Sequence, residues 1–174
     1  MHISACYNFP KMANYITLFR FLLIFLAVPS ILNQHHKLAF LLILLGAISD
    51  WLDGDTARKR NEVSELGVLL DPFVDKVFVL SCLSAYLYLG NISPYAFVLL
   101  LIRELYISFL RSLAVEKGYL MSASSLGRLK TFAEFTTLVL LALGSPLGSP
   151  VLWFSVLLAY LSALDYTFNF FRRF

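Results

Sequence analysis

The chain has 174 residues, of which 59% are hydrophobic and only 14% are charged, with a formal net charge of +3. A composition this apolar excludes a soluble globular protein of ordinary make-up, and the length indicates one domain. The positive charge does not indicate nucleic-acid binding, because the basic residues are concentrated at the ends of apolar segments.

The order of apolar segments along the chain predicts an all-α integral membrane protein with six transmembrane helices. Residues 1–13 are predicted to form an N-terminal interfacial segment, a short helix on the cytoplasmic membrane surface, with disorder as the alternative. Residues 14–174 are the predicted six-helix transmembrane catalytic domain, since a spanning helix needs about twenty residues. The predicted spans cover residues 14–32, 38–58, 66–89, 95–116, 125–143 and 151–170.

The basic residues predict how these spans are oriented. An even number of spans places one set of helix ends on the same side of the membrane, and that set carries Arg58, Lys59, Arg60, Lys117, Arg128, Lys130, Arg172 and Arg173. The opposite connections carry only Lys37. Positive charge marks the cytoplasmic side, so both termini are expected in the cytoplasm.

The first predicted span begins with a polar stripe. Asn14, Thr17 and Arg20 lie three residues apart, so on a helix they share one face that enters the membrane from its cytoplasmic end. The alternative for Arg20 is a side chain that extends to the membrane interface to keep its charge in water.

Seven of the eleven acidic residues lie between Ser49 and Lys76, and four of them form two pairs at helical spacing. Asp50 and Asp53 are three residues apart, and Asp71 and Asp75 are four apart, so each pair shares a helix face. Oxygen ligands without His or Cys select hard cations such as Mg²⁺ or Mn²⁺. The four aspartates are therefore predicted to hold one or two divalent ions, and the alternative is a solvated acidic loop.

Small residues accompany these carboxylates. Gly54 and Ala57 continue the face of the first pair, and Gly67 lies one turn before Asp71, so a flat group has room beside the acids. Arg58 is the neighbouring cation. Acidic residues holding metal beside an arginine suit phosphoryl transfer, whose transition state is stabilised by positioning and charge neutralisation.

This segment resembles the signature of the CDP-alcohol phosphotransferase family. The matching pattern is Asp50-x2-Asp53-Gly54-x2-Ala57-Arg58-x8-Gly67-x3-Asp71-x3-Asp75. The resemblance implies a homodimeric integral membrane enzyme that moves a substituted phosphate from a CDP-linked donor to an alcohol and releases CMP. It also implies Asp75 as the catalytic base that takes the proton of the acceptor hydroxyl. CDP is expected to bind at Gly54, Ala57, Arg58 and Gly67, with Asn14 and Thr17 from the first span.

Charged residues farther along the chain predict the acceptor. A charge buried in hydrocarbon costs roughly 2.5 to 3.5 kcal/mol on insertion scales, so these groups are expected to converge on one another, on a ligand or on water. Arg103, Arg111 and Lys130 have Glu104 as the nearby acid, which leaves charge for a second anion. This favours an acceptor that carries its own phosphate. The alternative is that the three cations pair with Glu104, Glu116 and Glu134 between helices.

Several segments narrow the resemblance to bacterial phosphatidylglycerophosphate synthases. These are the stripe from Asn14 to Arg20, Arg103-Glu104-x6-Arg111, Ala114-x-Glu116-Lys117-Gly118 and Gly127-Arg128-x-Lys130-Thr131. The implied reaction transfers the phosphatidyl group from CDP-diacylglycerol to glycerol 3-phosphate at the cytoplasmic face of the cell membrane, among membrane lipids. The alternatives are another acceptor, either phosphatidylglycerol to give cardiolipin or inositol phosphate, and a different class of protein, a cation transporter.

Overall fold

The structure is a computed structural model that describes residues 11–60, 65–118, 121 and 125–172. Within these ranges, side chains are described for residues 17–49, 73–118, 121 and 125–172. The predicted interfacial segment lies outside the described residues, except that residues 11–13 form the start of the first helix.

Six helices account for the described chain. They are α1 (Lys11–Leu32), α2 (His36–Arg60), α3 (Glu65–Tyr88), α4 (Pro94–Glu116), α5 (Ser125–Ala142) and α6 (Gly148–Phe171). Every bound lies within three residues of the predicted one, and no strand occurs among the residues described. The all-α prediction and the positions of its six helices are therefore confirmed.

Two connections on the side opposite the acidic segment are short because a glycine follows the end of α3 and of α5. Gly90 follows α3 with φ +75°, and the Asn91 amide returns to the Tyr86 carbonyl at 3.0 Å. Gly144 follows α5 with φ +67°, and the Ser145 amide returns to the Leu140 carbonyl at 2.9 Å. A glycine in this left-handed conformation satisfies the last carbonyls of a helix and turns the chain back.

The helices pack as a closed ring in the order α1, α3, α4, α6, α5, α2, and α3 also touches α5 across it. The Phe78 and Phe135 rings stack with their centroids 6.3 Å apart and fill the contact between α3 and α5. Gly46 on α2 faces the Phe78 ring closely, since a Cβ at Gly46 would lie 2.6 Å from Cζ. The missing side chain at Gly46 therefore lets α2 approach α3.

The outer surface and the buried charges of the described residues differ from those of a soluble protein. Leu26, Phe109, Phe132 and Phe168 are among the large apolar side chains exposed on the outside of the ring. Charged side chains are buried inside it, namely Arg20, Arg103, Glu104, Lys130 and Glu134. By length and composition, one described helix, α6 (Gly148–Phe171), is long and apolar enough to cross a membrane, and shorter apolar helices cover Thr17–Leu32 and His36–Ser49. Exposed apolar surface around buried charge is typical of proteins in lipid.

Candidate active site

The four aspartates lie on two helices, as their spacing predicts. Asp50 and Asp53 are helical residues of α2, and Asp71 and Asp75 are helical residues of α3. Asp75 is the one whose side chain is described. The structure does not describe the side chains of the other three aspartates. The same holds for five predicted CDP-site positions, namely Asn14, Gly54, Ala57, Arg58 and Gly67.

Asp75 is held by an arginine from α1. The Arg20 guanidinium is completely buried and forms an ion pair with the Asp75 carboxylate, whose side chain keeps 22% of its exposure. Arg20 Nε also donates to Ser49 Oγ at 3.1 Å, and Ser49 directly precedes Asp50 on α2. Arg20 thus joins α2 and α3, the helices that carry the two acid pairs, and does not extend to the interface. Thr17, one turn earlier, is buried on the same helix.

Lys76 follows Asp75 and points to a different helix. Its Nζ donates to Ser108 Oγ on α4 at 2.7 Å and to the Glu104 carbonyl at 3.3 Å. The Glu104 carboxylate Oε2 lies 3.5 Å from the same nitrogen. Lys76 is not among the site residues predicted from the sequence, although a lysine next to an essential acid inside a helix is a signal for a functional role. Consecutive residues on α3 therefore face two groups of charges.

Glu104 is the centre of the second group. Its Oε1 accepts from Arg103 at 2.6 Å and from Lys130 Nζ at 2.7 Å, with all three side chains almost fully buried. Lys130 also pairs with Glu134 Oε2 at 2.8 Å. The charges on α3, α4 and α5 do converge, and pairing with Glu104 and Glu134, one of the alternatives for these cations, is present in the structure.

The two predicted acceptor-site arginines both contact α6. Arg103 donates from Nε to the Ala159 carbonyl at 2.8 Å and from a terminal nitrogen to Ser162 Oγ at 3.0 Å. Arg111 donates to Tyr166 Oη at 3.0 Å, and its guanidinium lies 5.2 Å from the centre of the same ring. Through these contacts both arginines hold α4 against α6. Their binding of acceptor phosphate stays a prediction.

We call Lys76, Arg103, Glu104, Arg111, Lys130 and Glu134 the basic cluster. Its four cations and two carboxylates leave a surplus of two positive charges. Among the described residues, the buried side-chain polar atoms without a hydrogen-bond partner are Glu104 Oε2, Arg111 Nε and Glu134 Oε1. All three belong to this cluster.

The donor set suits a hard divalent cation, because it consists of four carboxylates at helical spacing on α2 and α3. No group of three or more His, Cys, Asp or Glu side chains occurs among those the structure describes. The described side chains include that of Asp75 but not those of Asp50, Asp53 or Asp71.

Comparison with known proteins identifies the family. The model of the CDP-alcohol phosphatidyltransferase family matches residues 10–161. A Rickettsia felis protein named CDP-diacylglycerol–glycerol-3-phosphate 3-phosphatidyltransferase is 29% identical over 90% of this chain and 93% of its own. A Bacillus subtilis protein of that name is 27% identical over 75% of this chain and 72% of its own. A Mycobacterium tuberculosis protein named probable phosphatidylglycerophosphate synthase is 31% identical over 90% of this chain and 79% of its own. The chain belongs to the CDP-alcohol phosphatidyltransferase family.

Proposed function

We propose that the protein transfers the phosphatidyl group from CDP-diacylglycerol to glycerol 3-phosphate, giving phosphatidylglycerol phosphate and CMP. One observation supports the choice of acceptor. Asp75 and Lys76 are consecutive residues of α3, and Lys76 belongs to the basic cluster with its two surplus positive charges. An acceptor with a hydroxyl at one end and a phosphate at the other complements both. The names of the relatives support the same reaction.

In the proposed mechanism, Asp75 takes the proton from the acceptor hydroxyl. The hydroxyl oxygen attacks the phosphorus that bears diacylglycerol, the bond from this phosphorus to the CMP oxygen breaks, and CMP leaves. The ion pair with Arg20 fixes the direction of the Asp75 carboxylate, since a buried guanidinium with a second partner has little freedom to move. Positioning and charge neutralisation account for most of the catalysis of phosphoryl transfer.

The four aspartates would hold one or two Mg²⁺ or Mn²⁺ ions, which when bound neutralise diphosphate charge. Asp50, Asp53 and Asp71 would serve as ligands alone, and Asp75 would share the second site while acting as base. Gly54, Ala57 and Gly67 leave room for cytidine and ribose, with Arg58 neutralising phosphate oxygen charge. Asn14 and Thr17, on the α1 face that carries Arg20, complete the proposed CDP site.

Arg111 and Lys130 are the proposed acceptor-phosphate cations, together with Arg103. Arg111 is better placed than Arg103 to contact the acceptor phosphate directly. Arg111 is only partly buried, whereas Arg103 is almost fully buried. Lys130 carries two carboxylate partners, so one of its contacts would be exchanged when phosphate binds. Arg103 would contribute mainly through its charge.

We further propose six membrane spans with both termini in the cytoplasm, the active site in the inner half of the cell membrane, and a homodimer. The exposed apolar side chains on the outside of the ring support burial in lipid. Lys117 and Arg172 lie at the ends of α4 and α6, on the side where α2 ends in Arg60. This one-sided positive charge supports the orientation.

The deciding experiment supplies detergent-solubilised protein with CDP-diacylglycerol and one acceptor at a time, and follows CMP release. Glycerol 3-phosphate is expected to give the highest kcat/KM, with phosphatidylglycerol phosphate as the lipid product. Faster CMP release with phosphatidylglycerol or inositol phosphate would replace the acceptor and keep the family chemistry. Cation flux into liposomes without any CMP release would instead support a transporter and refute the proposal.

A further inference from the structure

Lys76 belongs to the same helix as the proposed base but reaches the basic cluster. Its side chain is 16% exposed, so the residue is partly accessible from outside the helices. Asp75 pairs with α1 and Lys76 contacts α4. Two residues joined by one peptide bond on α3, Asp75 and Lys76, therefore contact the two separate groups of charges.

The contacts of Lys76 leave part of its bonding capacity unused. A lysine ammonium has three donors. Ser108 Oγ accepts at 2.7 Å and the Glu104 carbonyl at a longer 3.3 Å, whereas Glu104 Oε2 at 3.5 Å is too distant for a good hydrogen bond. Within the described residues, Glu104 Oε2 thus has no hydrogen-bond partner, and Lys76 uses two of its three donors.

The cluster around Lys76 also has more cations than carboxylates, although two of its three buried atoms without a partner among the described residues, Glu104 Oε2 and Glu134 Oε1, are acceptors that a phosphate does not satisfy. Buried polar atoms without partners cost free energy, and buried like charges repel. Arg111 Nε is an unused buried donor, and the cations outnumber the carboxylates by two. A dianion with several acceptor oxygens would use the free donors and cancel the surplus charge. A phosphate monoester has these properties.

We propose that Lys76 binds the phosphate of the acceptor and thereby determines specificity for a phosphorylated alcohol. This inference rests on the proposed function, in which Asp75 deprotonates the hydroxyl of the same molecule. Because Asp75 and Lys76 are adjacent on a rigid helix, a contact from Lys76 to the phosphate fixes where the hydroxyl lies relative to the base. An acceptor without a phosphate would lose this contact and leave the surplus charge uncompensated.

A structural role is the competing explanation, since Lys76 also ties α3 to α4 through Ser108. Two substitutions separate the roles. Lys76→Gln keeps a hydrogen-bonding group that reaches toward Ser108 but removes the charge. Lys76→Arg keeps the charge. A tie between helices tolerates the neutral variant, whereas phosphate binding requires the charged one. Lys37→Gln is the matched control, because Lys37 is exposed at the start of α2, outside the site.

The test measures binding of inorganic phosphate to purified full-length protein in detergent by calorimetry, with saturating CDP and Mg²⁺ to fill the donor site. We expect Lys76→Gln to weaken phosphate binding at least tenfold, and Lys76→Arg and Lys37→Gln to stay within about threefold of wild type. In steady-state assays, Lys76→Gln raises the KM for glycerol 3-phosphate by a similar factor and leaves the KM for CDP-diacylglycerol within about twofold.

Equal phosphate affinity in wild type and Lys76→Gln would overturn the inference, and so would a wild-type protein that binds no phosphate. Failure of the proposed function would give a different experimental result. Wild type would then release CMP with another acceptor but not with glycerol 3-phosphate, while the phosphate titrations still decide the role of Lys76. If Lys76→Gln does not fold, the inference stands or falls on the wild-type titration and on retained phosphate binding by Lys76→Arg.

Discussion

Arg20 on α1 forms a buried ion pair with Asp75 on α3, 55 residues later in the chain. Its Nε bonds Ser49 on α2 at the same time. The helices that carry the two aspartate pairs are therefore held in register by a side chain from a third helix. This relationship makes α1 part of the active-site framework, even though the acidic signature itself contains no residue of α1.

Replacing Arg20 with Met should lower both stability and turnover. Removing one partner of a buried pair leaves the other charge uncompensated, at a cost of about 3 kcal/mol, reduced here because Asp75 is partly exposed. We expect kcat to fall at least tenfold, because Asp75 loses its orienting partner. Thermal unfolding in detergent and CMP release measure the two effects. Arg172→Met, at the exposed end of α6, is the control. Wild-type turnover in Arg20→Met would show that Asp75 does not depend on this pair.

Asp75→Asn should abolish turnover and also lower stability, because the amide removes the negative charge that faces the completely buried Arg20 guanidinium. The amide matches the carboxylate in size but takes no proton, and loss of a general base costs about 10²- to 10⁴-fold in rate. Binding of CDP in the presence of Mg²⁺ is expected to persist in part, since Asp50, Asp53 and Asp71 remain. CMP release and CDP titration measure the two properties. Asp165→Asn on α6, whose Oδ1 can still accept from Asn169, is the matched control. Full activity of Asp75→Asn would remove Asp75 from the role of base.

The six helices were predictable because each apolar run is bounded by turn residues or charge, as at Gly90 and Gly144. Partners were harder to predict. Spacing indicates that Arg20 shares a face with Thr17, but not that the face meets Asp75. Arg103 bonds the Ala159 carbonyl, and a backbone acceptor leaves no trace in a sequence pattern. The surplus of cations near Glu104 was predictable from the sequence. The part of Lys76 in it was not, because Lys76 lies in the acidic segment of the chain.

Gly46→Ala should destabilise the protein by about 1–3 kcal/mol through overpacking. The added Cβ would lie 2.6 Å from the Phe78 ring, which is fully buried and stacked on Phe135 and so has little room to shift. Thermal unfolding measures the change. Phe78→Leu added to Gly46→Ala should restore part of the loss, because the smaller side chain relieves the contact. A melting temperature unchanged by Gly46→Ala would mean that α2 and α3 are less closely packed than described.

Removal of divalent cations should stop CMP release reversibly. Carboxylates without nitrogen or sulfur ligands bind Mg²⁺ and Mn²⁺ through oxygen, so a chelator should strip the proposed site. We expect activity to fall to background with excess EDTA and to return on adding Mg²⁺ or Mn²⁺. Zn²⁺ is expected to restore less activity, because it favours His and Cys ligands. Turnover that persists after extensive chelation and dialysis would contradict a metal site formed by Asp50, Asp53, Asp71 and Asp75.

Glu104→Gln should destabilise the protein more than any exposed acid-to-amide change. The Glu104 carboxylate is nearly fully buried and accepts from Arg103 and Lys130, so its neutralisation leaves buried cations that repel one another. We expect a loss of about 3 kcal/mol, measured by thermal unfolding in detergent.

Glu116→Gln at the exposed end of α4 is the matched control, with an expected change within about 0.5 kcal/mol. Inorganic phosphate should raise the melting temperature of Glu104→Gln more than that of wild type, because the dianion replaces the missing negative charge among the same cations. Equal melting temperatures for Glu104→Gln and Glu116→Gln would show that Glu104 does not organise the basic cluster. A melting temperature of Glu104→Gln that phosphate does not raise would show that the cluster is not an anion site.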